Sequence, residues 1–257
     1  VIGADEGELD FLEGADETVL RELRVAISDH LFELSTAGLR SAAKLAGILP
    51  APVAAKLSQA ALGPVLSART VPLLDPGPIA SIASRMPASF LAETAVHLDL
   101  RRAGPLIGAV PLEKLKEAGT ELAARNEYVV LAAFVGYMDE SVLRGLLDIF
   151  DAETLLRAAF LVEEPERIDA LIANLSDQRI DELQRAAREH GLWEEAFVVL
   201  SDLGDDQRAR FAASLDRMVD DELAALADEL NSNKTLAAAS APMLKLLDPD
   251  TQAALTR

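Results

Sequence analysis

Large apolar residues punctuate this chain at a regular spacing: Leu74, Met86, Leu98 and Val110, then Met138, Phe150, Val162 and Leu175, then Leu203 and Leu247. The successive intervals are 12, 12, 12, 28, 12, 12, 13, 28 and 44. Three short units and one long unit therefore recur, with a period of about 65, and a fixed internal period is the signature of a repeat architecture. Each short unit opens with a polar or proline residue and continues for roughly nine residues with apolar positions at i, i+3, i+4 and i+7, the pattern of a helix with one buried face. Ile79, Ile82 and Met86 form one such face; Val142, Leu143, Leu146, Leu147 and Phe150 form another. Helices this short do not persist alone in water and need stacked neighbours. The pattern therefore predicts an all-α fold, an α-solenoid or superhelix of about fourteen to sixteen short helices, with three short units plus one helical pair per period.

The long units after Val110, Leu175 and Met218 have room for antiparallel helix pairs. In the first, Leu112 to Arg125 precedes Asn126, and Tyr128 to Tyr137 completes the pair. In the second, Ile180 to His190 precedes Gly191, and Trp193 to Leu203 follows. Asn126 and Gly191 stand one period apart, and both residue types tolerate the left-handed backbone that ends a helix. Tyr128 and Trp193 are separated by the same offset, so residues 87–138 and 151–203 are expected to be copies. Either aromatic reads as a core residue locking two helices together or as a contact for a partner. A third pair is expected to break at Asn231, Ser232 and Asn233.

Upstream of Leu74 the regularity is lost. Residues 1–17 hold seven acids and no base, the composition of a mobile acidic tail, which we bound at residues 1–15. Asp16 is placed to cap a helix with an apolar stripe at Val19, Leu20, Leu23, Ile27 and Leu31. The prolines and glycines that follow predict short helices at 39–47, 51–61 and 64–70. Residues 16–73 are thus an N-terminal helical cap rich in Ala, Pro and Gly, and 74–257 the repeat array.

Composition narrows the chemistry. Cysteine is absent from the 257 residues, which removes disulfides and thiolates and suits a reducing compartment, hence a cytoplasmic expectation. No stretch of about 18 uncharged apolar residues is present to span a membrane, and Val1 is followed by acids rather than by a basic and then apolar leader. A net charge of −19 opposes nucleic-acid binding. The charge is uneven: between Ser35 and Met86, Arg40, Lys44, Lys56, Arg69 and Arg85 face one acid, Asp75, giving +4 there and −23 elsewhere. That window reads as an end-cap of the array or as a docking face for an acidic partner, an anionic lipid surface or the chain's own acidic tail. His30, His97 and His190 fall in different units without metal-helix spacing; His97, interrupting an apolar face, reads as a hydrogen-bonded core histidine rather than a ligand, and His190, beside a helix C-terminus, as a partner of the helix dipole. Neither a G-x-S-x-G elbow nor a phosphate-binding loop occurs. The acidic pairs Glu163–Glu164, Asp205–Asp206 and Asp220–Asp221 stand where helices begin, which suits helix-dipole pairing or, alternatively, a weak divalent-cation surface.

Leu74-Asp75-Pro76, Met86-Pro87, Leu98-Asp99 and Val110-Pro111 resemble the Leu-Pro and Leu-Asp punctuation of the cytosolic amino-terminal domain of MgtE-type magnesium transporters, and similar short-helix repeats occur in the flagellar motor-switch protein FliG. The resemblance covers residues 74–218 and implies a superhelical interaction or regulatory domain. The sequence reading is accordingly a non-enzymatic scaffold that binds a protein or peptide partner, without cofactor or metal, through Arg40, Lys44, Lys56, Arg69, Tyr128 and Trp193. Its alternative is a carrier of an apolar small molecule or lipid in a groove between helices, which an apolar cavity would favour.

Overall fold

A computed structural model describes residues 14–256; the acidic tail of the sequence reading lies almost wholly outside them. Seventeen α-helices, one π-helical turn and one 3-10 turn follow one another, with no strand among the described residues. The first is α1, Glu17–Ile48; α2, Ala51–Leu57, runs through the π turn at Ser58–Leu62 into α3, Gly63–Thr70. The array then reads α4 Pro76–Ala83, α5 Ala88–Val96, α6 Leu100–Ile107, α7 Leu112–Ala124 and α8 Tyr128–Val135. Its second period is α9 Glu140–Leu147, α10 Ala152–Ala159, α11 Pro165–Ile172, α12 Asp177–His190 and α13 Trp193–Ser201. The chain closes with α14 Asp205–Leu215, α15 Asp220–Ser232, α16 Lys234–Leu244 and α17 Pro249–Leu255.

Packing skips a helix. α3 lies on α5, α5 on α7, α8 on α10, α10 on α12, α12 on α14 and α15 on α17, so alternate helices stack while their sequence neighbours turn back between them. This is how such short helices persist: each is held between the ones before and after it in its stack. The two periods match helix for helix, and the equivalent residues Asn126 and Gly191 are both left-handed, with φ of 59° and 64°. The third pair breaks at Asn233, whose side chain caps α16 by accepting from the amides of Thr235 and Leu236 at 3.0 and 3.1 Å.

Local chemistry starts the helices. Asp16 accepts from the Val19 amide at 2.9 Å, Asp151 from Thr154 at 2.8 Å, Ser176 from Arg179 at 3.2 Å and Asp248 from Thr251 at 2.8 Å. Each satisfies a first-turn donor that the helix itself leaves unpaired. Asp205 with Asp206, and Asp220 with Asp221, occupy first turns of α14 and α15.

Two expectations for the cap are corrected. A helix break before Leu39 does not occur: α1 passes through Gly38 and continues to Ile48. One interior glycine costs about 1 kcal/mol, too little to end a helix that meets no proline before Pro50. The stripe on its first half is also largely uncovered, since Val19, Leu20, Ile27 and Leu31 are 40–60% exposed and only Leu23 is partly buried; Leu34 beyond it is 67% exposed. What anchors that half is polar: Arg101 donates to Asp29 at 2.5 Å, Arg102 bonds the same carboxylate, and the Arg102 guanidinium lies 4.2 Å from the centre of the Phe32 ring. The hydrogen bond from Arg101 holds the Asp29 carboxyl below its ordinary range.

Candidate functional site

The interior of the helical array is filled unevenly. In the second period Ile180, Leu183, Leu192, Trp193, Phe197 and Leu200 are all at most 4% exposed, and Trp193 stacks on Phe197 with ring centres 5.7 Å apart. One period earlier stand Leu115, Ala118, Glu127, Tyr128, Ala132 and Val135, of which only Ala132 is fully buried. Ala118 and Ala132 replace Leu183 and Phe197, and Ala103 likewise replaces Ile168. Leu131 opposite Ala196 returns part of that volume. The main core accordingly gathers from Leu143 to Leu255, and a small second one joins Ala54 and Ala55 to Ile82 and Met86.

Between these two cores runs a cavity of about 270 Å³. It is bordered by residues from Ala46 of α1 to Phe211 of α14, so it extends along the array rather than sitting between two helices. Its walls are aliphatic and aromatic, with Phe90, Leu106, Leu131, Phe134, Met138 and Leu155 among them. Polar atoms are few. The hydroxyls of Thr70 and Thr94 are spent on the carbonyls of Leu66 and Phe90, at 2.6 and 2.7 Å, and the Lys114 ammonium is paired with Glu117 at 2.6 Å. Ser67 differs: the residue borders the cavity, and its Oγ is buried without a hydrogen-bond partner among the described residues. Such a group is costly to leave unpaired, by about 1–3 kcal/mol, a cost that a polar atom brought within its reach would relieve.

The residues singled out in the sequence are divided by the structure. Arg40, Lys44, Lys56 and Arg69 are exposed on α1, α2 and α3, and none of them forms an ion pair among the described residues. Tyr128 is half-buried, its hydroxyl donating to Asn126 Oδ1 at 2.7 Å, with the Arg157 guanidinium 5.8 Å from its ring centre. Trp193, 3% exposed, belongs to the core and is not available to a partner, which corrects its assignment as a contact. His97 is corrected too: α5 ends at Val96, the helical phase is lost there, and the imidazole lies in solvent. His190 closes α12, with Nδ1 3.3 Å from Glu153 Oε2. No group of three or more histidine or acidic side chains able to hold a metal occurs among the described residues.

Sequence reasoning missed a repeated arginine device. Arg167 on α11 donates to the carbonyl of Met138, Arg179 on α12 to that of Phe150, and Arg210 on α14 to that of Leu175 at 2.5 Å. All three acceptors are punctuation residues, so each guanidinium closes the C-terminus of a helix three elements earlier. A shared position is the signal that was available: Arg167 and Arg179 are both third residues of their helices.

No family model, curated protein or solved structure matches this chain.

Proposed function

We propose that this protein binds a single elongated apolar molecule, such as the acyl chain of a lipid, inside the superhelix, and that it does so without catalysing a reaction. The observation that carries the reading is the cavity of about 270 Å³ walled by apolar side chains from α1 to α14. Filling an apolar cavity recovers on the order of 24 cal/mol per Å³, so a well-fitting chain would gain up to roughly 6 kcal/mol. The length of the space favours a chain over a compact ring system.

Titration of the protein with a fluorescent polyene fatty acid tests it. Saturable binding of one probe per chain is expected, with a raised Tm. Rebuilding the first period in the image of the second, by Ala103→Ile with Ala118→Leu, should then weaken the probe at least tenfold while the helical circular dichroism is kept. Binding that does not saturate, or that ignores this pair of substitutions, refutes the reading.

A second reading, the scaffold for a protein or peptide partner in the cytoplasm, draws support from the exposed stripe Leu20, Ile27, Leu31 and Leu34 on α1, an arrangement that suits helix-to-helix docking. It predicts a partner whose capture is lost on Ile27→Ser with Leu31→Ser and unaffected by the cavity substitutions. The likeness to MgtE-type domains belongs with this reading.

A further inference from the structure

Resting on the lipid-binding reading, we infer that the end of the molecule formed by the C-terminal part of α1 with α2 and α3 is a docking surface for anionic lipid bilayers, and that a lipid chain enters the cavity there. α2 and α3 both pack on α1, and all three helices carry the same exposed motif, a cation one turn from large apolar side chains. On α1, Arg40, Lys44 and Ile48 follow one another at i+4, with Leu45 beside them. On α2, Val53 precedes Lys56 and Leu57 at i+3 and i+4; on α3, Val65 and Leu66 precede Arg69 at i+4 and i+3. These spacings put each cation on the same helical face as its apolar neighbours. Ile48 is 78% exposed, Val53 49% and Val65 44%, a cost in water that insertion among acyl chains removes.

Charge selects the surface. Arg40, Lys44, Lys56 and Arg69 have no acidic partner among the described residues, in a window of +4 on a chain of −19. An anionic bilayer repels the rest of the molecule and attracts this end, which orients the approach. The same end adjoins the cavity: Ser58 and Ser67, two residues from Lys56 and Arg69, are buried and border it, and Ser67 Oγ has no partner among the described residues. A headgroup held by the surface cations would thus sit beside this part of the cavity wall. Residues 17 to 44 of α1 span about 40 Å and the fifteen tail residues at most ~50 Å, so the tail reaches this surface only when nearly fully extended.

Flotation of the full chain with phosphatidylcholine vesicles, with and without phosphatidylglycerol as a minority component, tests the inference at low and high salt. We expect association with the anionic vesicles only, strongest at low salt. Changing Arg40, Lys44, Lys56 and Arg69 together to Gln should reduce it about tenfold or more. Ile48→Ser with Val53→Ser and Val65→Ser should leave a weaker association that high salt abolishes. The same proteins are titrated with the fatty-acid probe in solution, where the Gln variant should bind as the parent does. A full-length variant with Asp5, Glu6, Glu8, Asp10 and Glu13 neutralised is floated alongside; association seen only there places the tail over this surface and supports the inference. Equal flotation on neutral vesicles, no flotation of either the parent or the tail variant, or a Gln variant that floats like the parent overturns it. Failure of flotation with intact probe binding refutes docking alone. Failure of the probe with intact flotation refutes the cavity reading and leaves docking standing.

Discussion

Asp151 carries two consequences at the scale of one residue. Its carboxylate accepts the Thr154 amide, and that backbone hydrogen bond holds its pKa below the ordinary value. A depressed carboxyl stabilises the fold above its unfolded pKa of about 3.9, and the contribution is lost as the pH falls from there through the folded value. Asp151→Ala should therefore cost about 1 kcal/mol in urea unfolding at pH 7, and Asp151→Asn, which still caps, should cost less. Both should flatten the acid limb of the stability profile below the unfolded pKa, where Asp29 and Asp248, lowered by their own hydrogen bonds, still contribute. Gly191 gives a second residue-scale prediction. At φ of 64° it meets no neighbour that a Cβ would strike, so Gly191→Ala should destabilise by about 1–2 kcal/mol through the backbone alone. Caps and left-handed turns of this kind were legible in the sequence because the requirement is local and few residue types meet it.

Arg210 and Arg208 separate two kinds of arginine at the scale of the element. Arg208 pairs with Asp205, whose side chain is 90% exposed, and Arg208→Met should cost roughly 0–1 kcal/mol. Arg210 closes the end of α11 by bonding the carbonyls of Ile172 and Leu175, so Arg210→Met should cost roughly 1–3 kcal/mol. Denaturant melts of the two variants, run together, should rank them in that order. Nothing in the local sequence around Arg210 announces this, because its acceptors lie more than thirty positions upstream. The extent of α1 escaped for a related reason. Where a helix stops depends on a competing turn, and between Leu31 and Leu39 the chain offers only Gly38. The short helices, by contrast, are each bounded by a residue that compels a turn or a cap, and their order was readable from spacing alone.

At the scale of the whole molecule, the two periods share a plan and differ in how they are filled. Hydrogen exchange should find the amides of 177–230, packed around Trp193 and Phe197, better protected than those of 88–135 around the cavity. A bound lipid should raise protection mainly in the latter. The sequence shows which residues point inward, since that follows from helical phase. It does not show whether inward-pointing side chains meet, since that depends on how far apart the stacked helices stand; Ala103 and Ala118 could have been flagged only by aligning each with its counterpart, Ile168 and Leu183. The basic face was visible as charge, but Ser67 behind it is one serine among many until its isolation in the cavity wall is seen.

The equivalence of Asn126 and Gly191 also bears on how such a chain can lengthen or shorten. Joining Arg125 directly to Gly191 would delete one whole period and bring the end of α7 onto the start of α13 in phase, with a left-handed residue still at the joint. A cut a few residues shorter or longer offers no such junction. Size in this molecule is therefore quantised, and an insertion or loss of genetic material is tolerable at the protein level chiefly when it measures one complete repeat.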